Sequence, residues 1–188
     1  MLAESVIVSV ILAVLRGKKF RSLENIKINN FWLILLSFSI EFFSVLIIKN
    51  DIRPLSFFIS KNYLIIQFLI YSLLFIFFAY NIRSKALMIV CFGVLLNFIV
   101  IAANNGFMPV SVDTALAKGF TQSITKLSEG KIAGHSILIK GDTNLWFLAD
   151  IINIPPPYPF PQTISIGDIF MAIGTFSFIQ VNMKKEHN

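Results

Sequence analysis

Long apolar runs separated by short polar breaks dominate the chain. The runs are Met1–Leu15, Phe31–Ile48, Tyr63–Tyr80, Ala86–Ala103 and Ile164–Val181, and the last four are 18 residues each. That length is close to the ~20 residues that carry a helix across ~30 Å of hydrocarbon at ~1.5 Å per residue. Met1–Leu15 is shorter and has the size of a signal-peptide core. No basic residue precedes it, however, and Arg16, Gly17, Lys18 and Lys19 follow it, the reverse of the polarity of a cleaved signal. It is expected to be an uncleaved first span. The pattern therefore predicts an all-α integral membrane protein with about five transmembrane helices.

Composition strengthens this reading and excludes its rivals. Of 188 residues, 56% are hydrophobic and only 14% charged, and twenty are Phe. An ordinary soluble domain has about 25% charged residues, so polar side chains are too few here to coat a globule. One cysteine, Cys91, rules out a disulfide scaffold, and the apolar content rules out a disordered chain. The net charge of +6 raises the question of nucleic acid. Lys and Arg sit in the breaks between apolar runs, as topology signals do, so no nucleic-acid partner is expected. With the N-terminus outside, the inner loops hold nine of them, namely Arg16, Lys18, Lys19, Arg21, Lys27, Arg83, Lys85, Lys184 and Lys185. The short outer connection holds three, Lys49, Arg53 and Lys61. The imbalance predicts an N-out/C-in topology, with the lipid bilayer as the first partner.

Residues 1–103 thus form four spans with short loops, 104–163 a long outer segment, and 164–188 the last span and a basic tail, all one structural unit. The outer segment is too long to be a mere connection. Three pieces are legible in it. Ser111 can cap an interfacial amphipathic helix with Val112, Leu116, Phe120, Ile124 and Leu127 on one face and Asp113, Lys118, Gln122 and Lys126 on the other. Asp142 or Thr143 can cap a short run, Leu145–Ile152, with Trp146 at headgroup level. Pro155–Pro161 holds five prolines with Tyr158 and Phe160, which predicts a stiff, extended proline-rich strap into the last span. Ser165 and Asp168 have the spacing of a capping box at the start of that span.

Several of these stretches together resemble a family of small bacterial multi-pass membrane proteins, a domain of unknown function. They are Leu15-Arg16-Gly17, Asn105-Gly106-Phe107-Met108-Pro109-Val110-Ser111, Leu145-Trp146-Phe147-Leu148-Ala149-Asp150-Ile151-Ile152, Pro155-Pro156-Pro157 and Ser165-Ile166-Gly167-Asp168. The resemblance implies a bacterial cytoplasmic membrane location and no particular activity. Two positions depart from the family pattern: Ala149 stands where a glycine is usual, and Glu41 where glutamine is frequent.

Polar groups inside spans are costly and mark candidate sites. Glu41 lies ten residues into its span, ~15 Å deep, and Asn97 lies at nearly the same depth. A Glu41–Asn97 hydrogen bond is expected if their helices are neighbours. Gln67, Glu4 and Asp168 fall in the outer parts of their spans, so polarity gathers beneath the outer segment. This fits a cavity open to the outside, lidded by the amphipathic helix and the proline strap. The plain alternative is that Asn97 and Gln67 only join helices, that Asp168 only caps one, and that Asn105 belongs to a left-handed helix stop before Pro109. Asp150 is an acid in an apolar run, and His135 could pair with it as base and orienter, although no positioned Ser or Cys nucleophile is evident. Two separated histidines cannot build a His-rich metal site, and no cofactor motif is present. The candidate ligand-binding residues are thus Glu41, Asn97, Asn105, His135, Asp150 and Asp168. The expected function is binding of a lipid-like ligand or a membrane protein partner through the outer segment. The alternatives are an intramembrane enzyme acting on a lipid or isoprenoid headgroup, and a small oligomeric transporter.

Overall fold

The computed structural model describes residues 1–20, 26–111, 134–139, 141–155 and 157–183. Every apolar run is a helix: α1 Leu2–Leu15, α2 Trp32–Lys49, α4 Tyr63–Tyr80, α5 Lys85–Ala103 and α6 Ile166–Asn182. Three of them, α2, α4 and α5, are long and apolar enough to cross a membrane, whereas α1 and α6 are shorter apolar helices. Their outer faces leave Phe42, Phe43, Ile65 and Phe68 exposed, as contact with lipid allows. A further helix, α3 Leu55–Lys61, occupies what reads in sequence as a short outer connection. At 7 residues it is too short to cross a bilayer, and it packs on α2 and α4 while burying Ser56 and Ile59.

Local chemistry sets the helix ends. Ser165 and Asp168 form the expected capping box, each side chain accepting from the other's backbone N–H. Ser84 caps α5. The stop after α5 has Asn105 and Gly106 both in the left-handed region, with φ of 56° and 91°. The Gly106 N–H closes the helix end on the Ile101 carbonyl at 2.9 Å. A Cβ on Gly106 would fall 2.9 Å from the Leu64 backbone, so glycine is required there for space as well as conformation.

In space the order is α2, α4, α5, α6, α1, with α5 against α6 the most extensive contact. Glycines bring that antiparallel pair together: a Cβ on Gly93 would lie 2.8 Å from the Met171 nitrogen, and one on Gly174 2.7 Å from the Val90 nitrogen. This is the small-residue packing that lets helices approach in lipid. α1 runs parallel to α6, since the Ser5 and Ser9 hydroxyls donate to the Ala172 and Phe176 carbonyls at 2.6 and 2.9 Å. α2 is antiparallel to α4, with Leu33 against Phe77 and Phe78 at one end and Glu41 against Gln67 towards the other. α2 and α6 do not pack closely on each other.

Short strands sit at the end of the bundle where α4 and α6 begin and α5 ends. β1 Met108–Val110 pairs in parallel with β2 His135–Ile137, and β3 Ile152–Ile154 pairs antiparallel with β4 Gln162–Ile164. The fold is thus mostly helical rather than all-α. Strands of three residues show no readable alternation, which is why the sequence pattern hides them. Two further expectations change. Leu145–Ile152 holds only a 3-10 turn, Trp146–Leu148, entered through Leu145 with φ of 51° and followed by β3. Residues 155–161 join β3 to β4, whose ends Ile154 and Gln162 are paired, so the prolines close a hairpin and do not form an extended strap. The amphipathic helix expected beyond Ser111 lies outside the described residues.

Candidate functional site

Beneath the strands, α2, α4, α5 and α6 line a half-open cavity of about 280 Å³. Its wall includes Glu41 from α2, Gln67 and Tyr71 from α4, Asn97 from α5, Asp168 from α6, His135 from β2, and Asp150. Five of the six residues singled out in the sequence therefore meet in one space. Asn105 does not: it is exposed, and its left-handed backbone serves the turn. Its neighbour Asn104 is the stitch here, exchanging hydrogen bonds with the Asn144 backbone at 2.9 and 3.0 Å.

Glu41, Asn97 and Asp168 are each held by side-chain or backbone partners. Tyr63 Oη and Gln67 Nε2 each donate to Glu41, to Oε1 and Oε2 respectively, both at 3.1 Å. Asn97 is buried, donates to Asp168 Oδ1 at 3.2 Å and accepts from Ser165 Oγ at 2.8 Å. The other Asp168 oxygen accepts from the Ser165 N–H at 3.0 Å, so Asp168 is both helix cap and cavity wall. The expected Glu41–Asn97 bond is not made. Depth alone placed them together, but α4 stands between α2 and α5, and each residue bonds to the helix beside it.

Asp150 is placed by backbone bonds to β1: its N–H donates to the Pro109 carbonyl at 3.0 Å, and its carbonyl accepts from Ser111 at 2.9 Å. The preceding Ala149 is fully buried against Val100, Ile101 and Met108, so the methyl at this position has room. The Asp150 side chain is 7% exposed, and its Oδ1 has no hydrogen-bond partner among the described residues. Burial, and secondarily the Asp168 charge, pushes its pKa up to about 8. Burial thus favours its uncharged form beside the helix-capping Asp168. His135 stands at the rim, exposed, one residue after Gly134. Gly134 has φ of 79°, and a Cβ there would fall 2.9 Å from the Tyr63 hydroxyl.

Tyr63, Gln67 and Tyr71 are the parts that sequence reasoning undervalued. Their spacing of four residues places all three on one face of α4, and that polar face on an apolar helix is the signal that could have found them. Among the described residues, no group of three or more His, Cys, Asp or Glu is placed to hold a metal ion.

Fold and site together define a mostly helical protein with helices fit to cross a membrane around an acid-walled cavity. The chain belongs to a family of unknown function, DUF5317, whose sequence profile matches residues 25–180. No curated protein and no solved structure matches it.

Proposed function

We propose that this is a multi-pass protein of the bacterial cytoplasmic membrane, and that the cavity beneath its strands binds a small polar ligand or the headgroup of a lipid-like molecule. In this reading α1, α2, α4, α5 and α6 all span the bilayer, N-terminus out, with the strands on the outer side. The basic-residue imbalance and the alternating helix directions support that orientation. The 14 residues of α1 reach only ~21 Å, a shortfall that local bilayer thinning accommodates.

The observation that carries the binding reading is the convergence of Glu41, Asn97, His135, Asp150 and Asp168 on one cavity. These residues are spread over the sequence, four of them on four different structural elements and Asp150 on the loop between the 3-10 turn and β3. Helix-joining polar groups need only a partner on the next helix; they have no need to face a common space.

The test is native mass spectrometry of protein extracted gently from its own membrane. A small adduct should persist on the wild type, be lost from Asp150→Asn, and survive in Asn105→Ala, whose residue lies outside the cavity. An adduct indifferent to Asp150→Asn would refute the assignment. A second reading, acid–base chemistry on the same ligand, draws on one observation: Asp150, with a pKa of about 8, can give or take a proton near neutral pH. It predicts that Asp150→Asn leaves a bound, unconverted ligand.

A further inference from the structure

We infer that the cavity's ligand is a single-chain amphiphile whose head is a protonated primary amine. The inference rests on the cavity being a ligand site and names the chemistry it takes. A second cavity, about 370 Å³, lies between α2 and α4 on one side and α5 and α6 on the other. The two cavities share Phe38, Tyr71, Leu74 and Asn97 in their walls. Beyond Asn97 the second is almost wholly apolar, with Ile34, Phe77, Leu87 and Val94 in its lining. It exists because α2 and α6 each pack on other helices and not closely on one another. A polar chamber thus adjoins an apolar one, the two sharing lining residues, an arrangement that suits a head and a hydrocarbon chain.

The polar chamber specifies the head. Glu41, Asp150 and Asp168 are the charged or ionisable acids of its described wall, which contains no Lys or Arg. Glu41 and Asp168 have both carboxyl oxygens engaged by protein donors. Asp150, more than nine-tenths buried, has an oxygen with none. Such an oxygen is costly to leave dry, and a ligand N–H or O–H would satisfy it. Among the described wall residues Glu41 and Asp168 face no Lys or Arg, a setting that favours a cationic head. An alkylammonium meets both needs. A quaternary ammonium brings charge without a donor, and an alcohol brings a donor without charge.

The experiment compares dodecylamine, dodecyltrimethylammonium and dodecanol as ligands of the full chain in detergent, read by native mass spectrometry and by the shift in unfolding temperature. Dodecylamine should bind at least tenfold more tightly than the other two. Asp150→Asn should weaken it at least tenfold, and Glu41→Gln should weaken it as well, which covers the case where the first variant fails to fold. Thr175→Phe, in the apolar chamber, should weaken dodecylamine and leave butylamine unchanged. Equal binding of the trimethylammonium or the alcohol would overturn the inference. If no amine binds while the native adduct is still lost in Asp150→Asn, the amine assignment falls and the cavity reading stands. If neither an adduct nor any probe binds, both fall.

Discussion

Asp150 concentrates the tension in this molecule. Folding takes an acid from water, leaves one oxygen unpartnered and lifts its pKa from the ordinary 3.8 to about 8. The consequence for stability has a definite sign. Above pH 4 the unfolded chain has released this proton while the folded chain still holds it, so the ligand-free protein loses stability as pH rises from about 4 to about 8. Thermal unfolding in detergent across that range should show the decline, and Asp150→Asn should flatten it. A cationic ligand reverses the preference, because it favours ionised Asp150. Its binding should tighten as pH approaches 8, against a background of Glu41 on α2, Asp168 on α6, His135 on β2 and Tyr71 on α4, which share the same wall. Asn97 carries the second prediction at this scale. Asn97→Ala removes the donor to Asp168 and the acceptor for Ser165, which should cost about 1–3 kcal/mol in unfolding free energy.

Among the elements, the α5–α6 pair is the frame on which the site depends. Gly174 meets Val90, and Gly93 meets the backbone around Met171, so a larger side chain must push the helices apart. Gly174→Leu should destabilise by about 1–3 kcal/mol and loosen the Asn97–Asp168 contact two turns away, reducing adduct retention too. The helices themselves are legible in the sequence because a membrane demands continuous apolar length, and Trp32–Lys49, Tyr63–Tyr80 and Lys85–Ala103 supply it. The Ser165–Asp168 box and the Asn105–Gly106 stop are equally legible, since both are decided within a few residues. The three-residue strands were not, because their stability comes from pairing across distant sequence, as between Met108 and His135. The prolines between β3 and β4 misled for the same reason. Taken alone they favour extension, but the pairing of Ile154 with Gln162 bends the chain back.

For the whole molecule, the polar residues of the spans divide into a local part and a gathered part. Chain position gave the depth of Glu41 and Asn97, and both do line the cavity. It could not give lateral neighbours, which depend on how faces pack, and so it paired them wrongly. The proposed topology makes its own prediction. In a Cys91→Ser background, Asp142→Cys should react with a membrane-impermeant thiol reagent on intact cells, and Arg83→Cys should react only after permeabilisation. Both positions are exposed in the fold, so the difference reports sidedness and not burial. The central claim is that the acids gathered beneath the strands face one space that a ligand can enter. Labelling with dicyclohexylcarbodiimide, an apolar reagent that attacks protonated carboxyls, tests it most directly. At pH 7 the reagent should modify Asp150, more slowly above pH 9, where the acid is ionised, and more slowly again when dodecylamine is present. Modification of the exposed Asp51 or Asp142 with none at Asp150 would contradict the account.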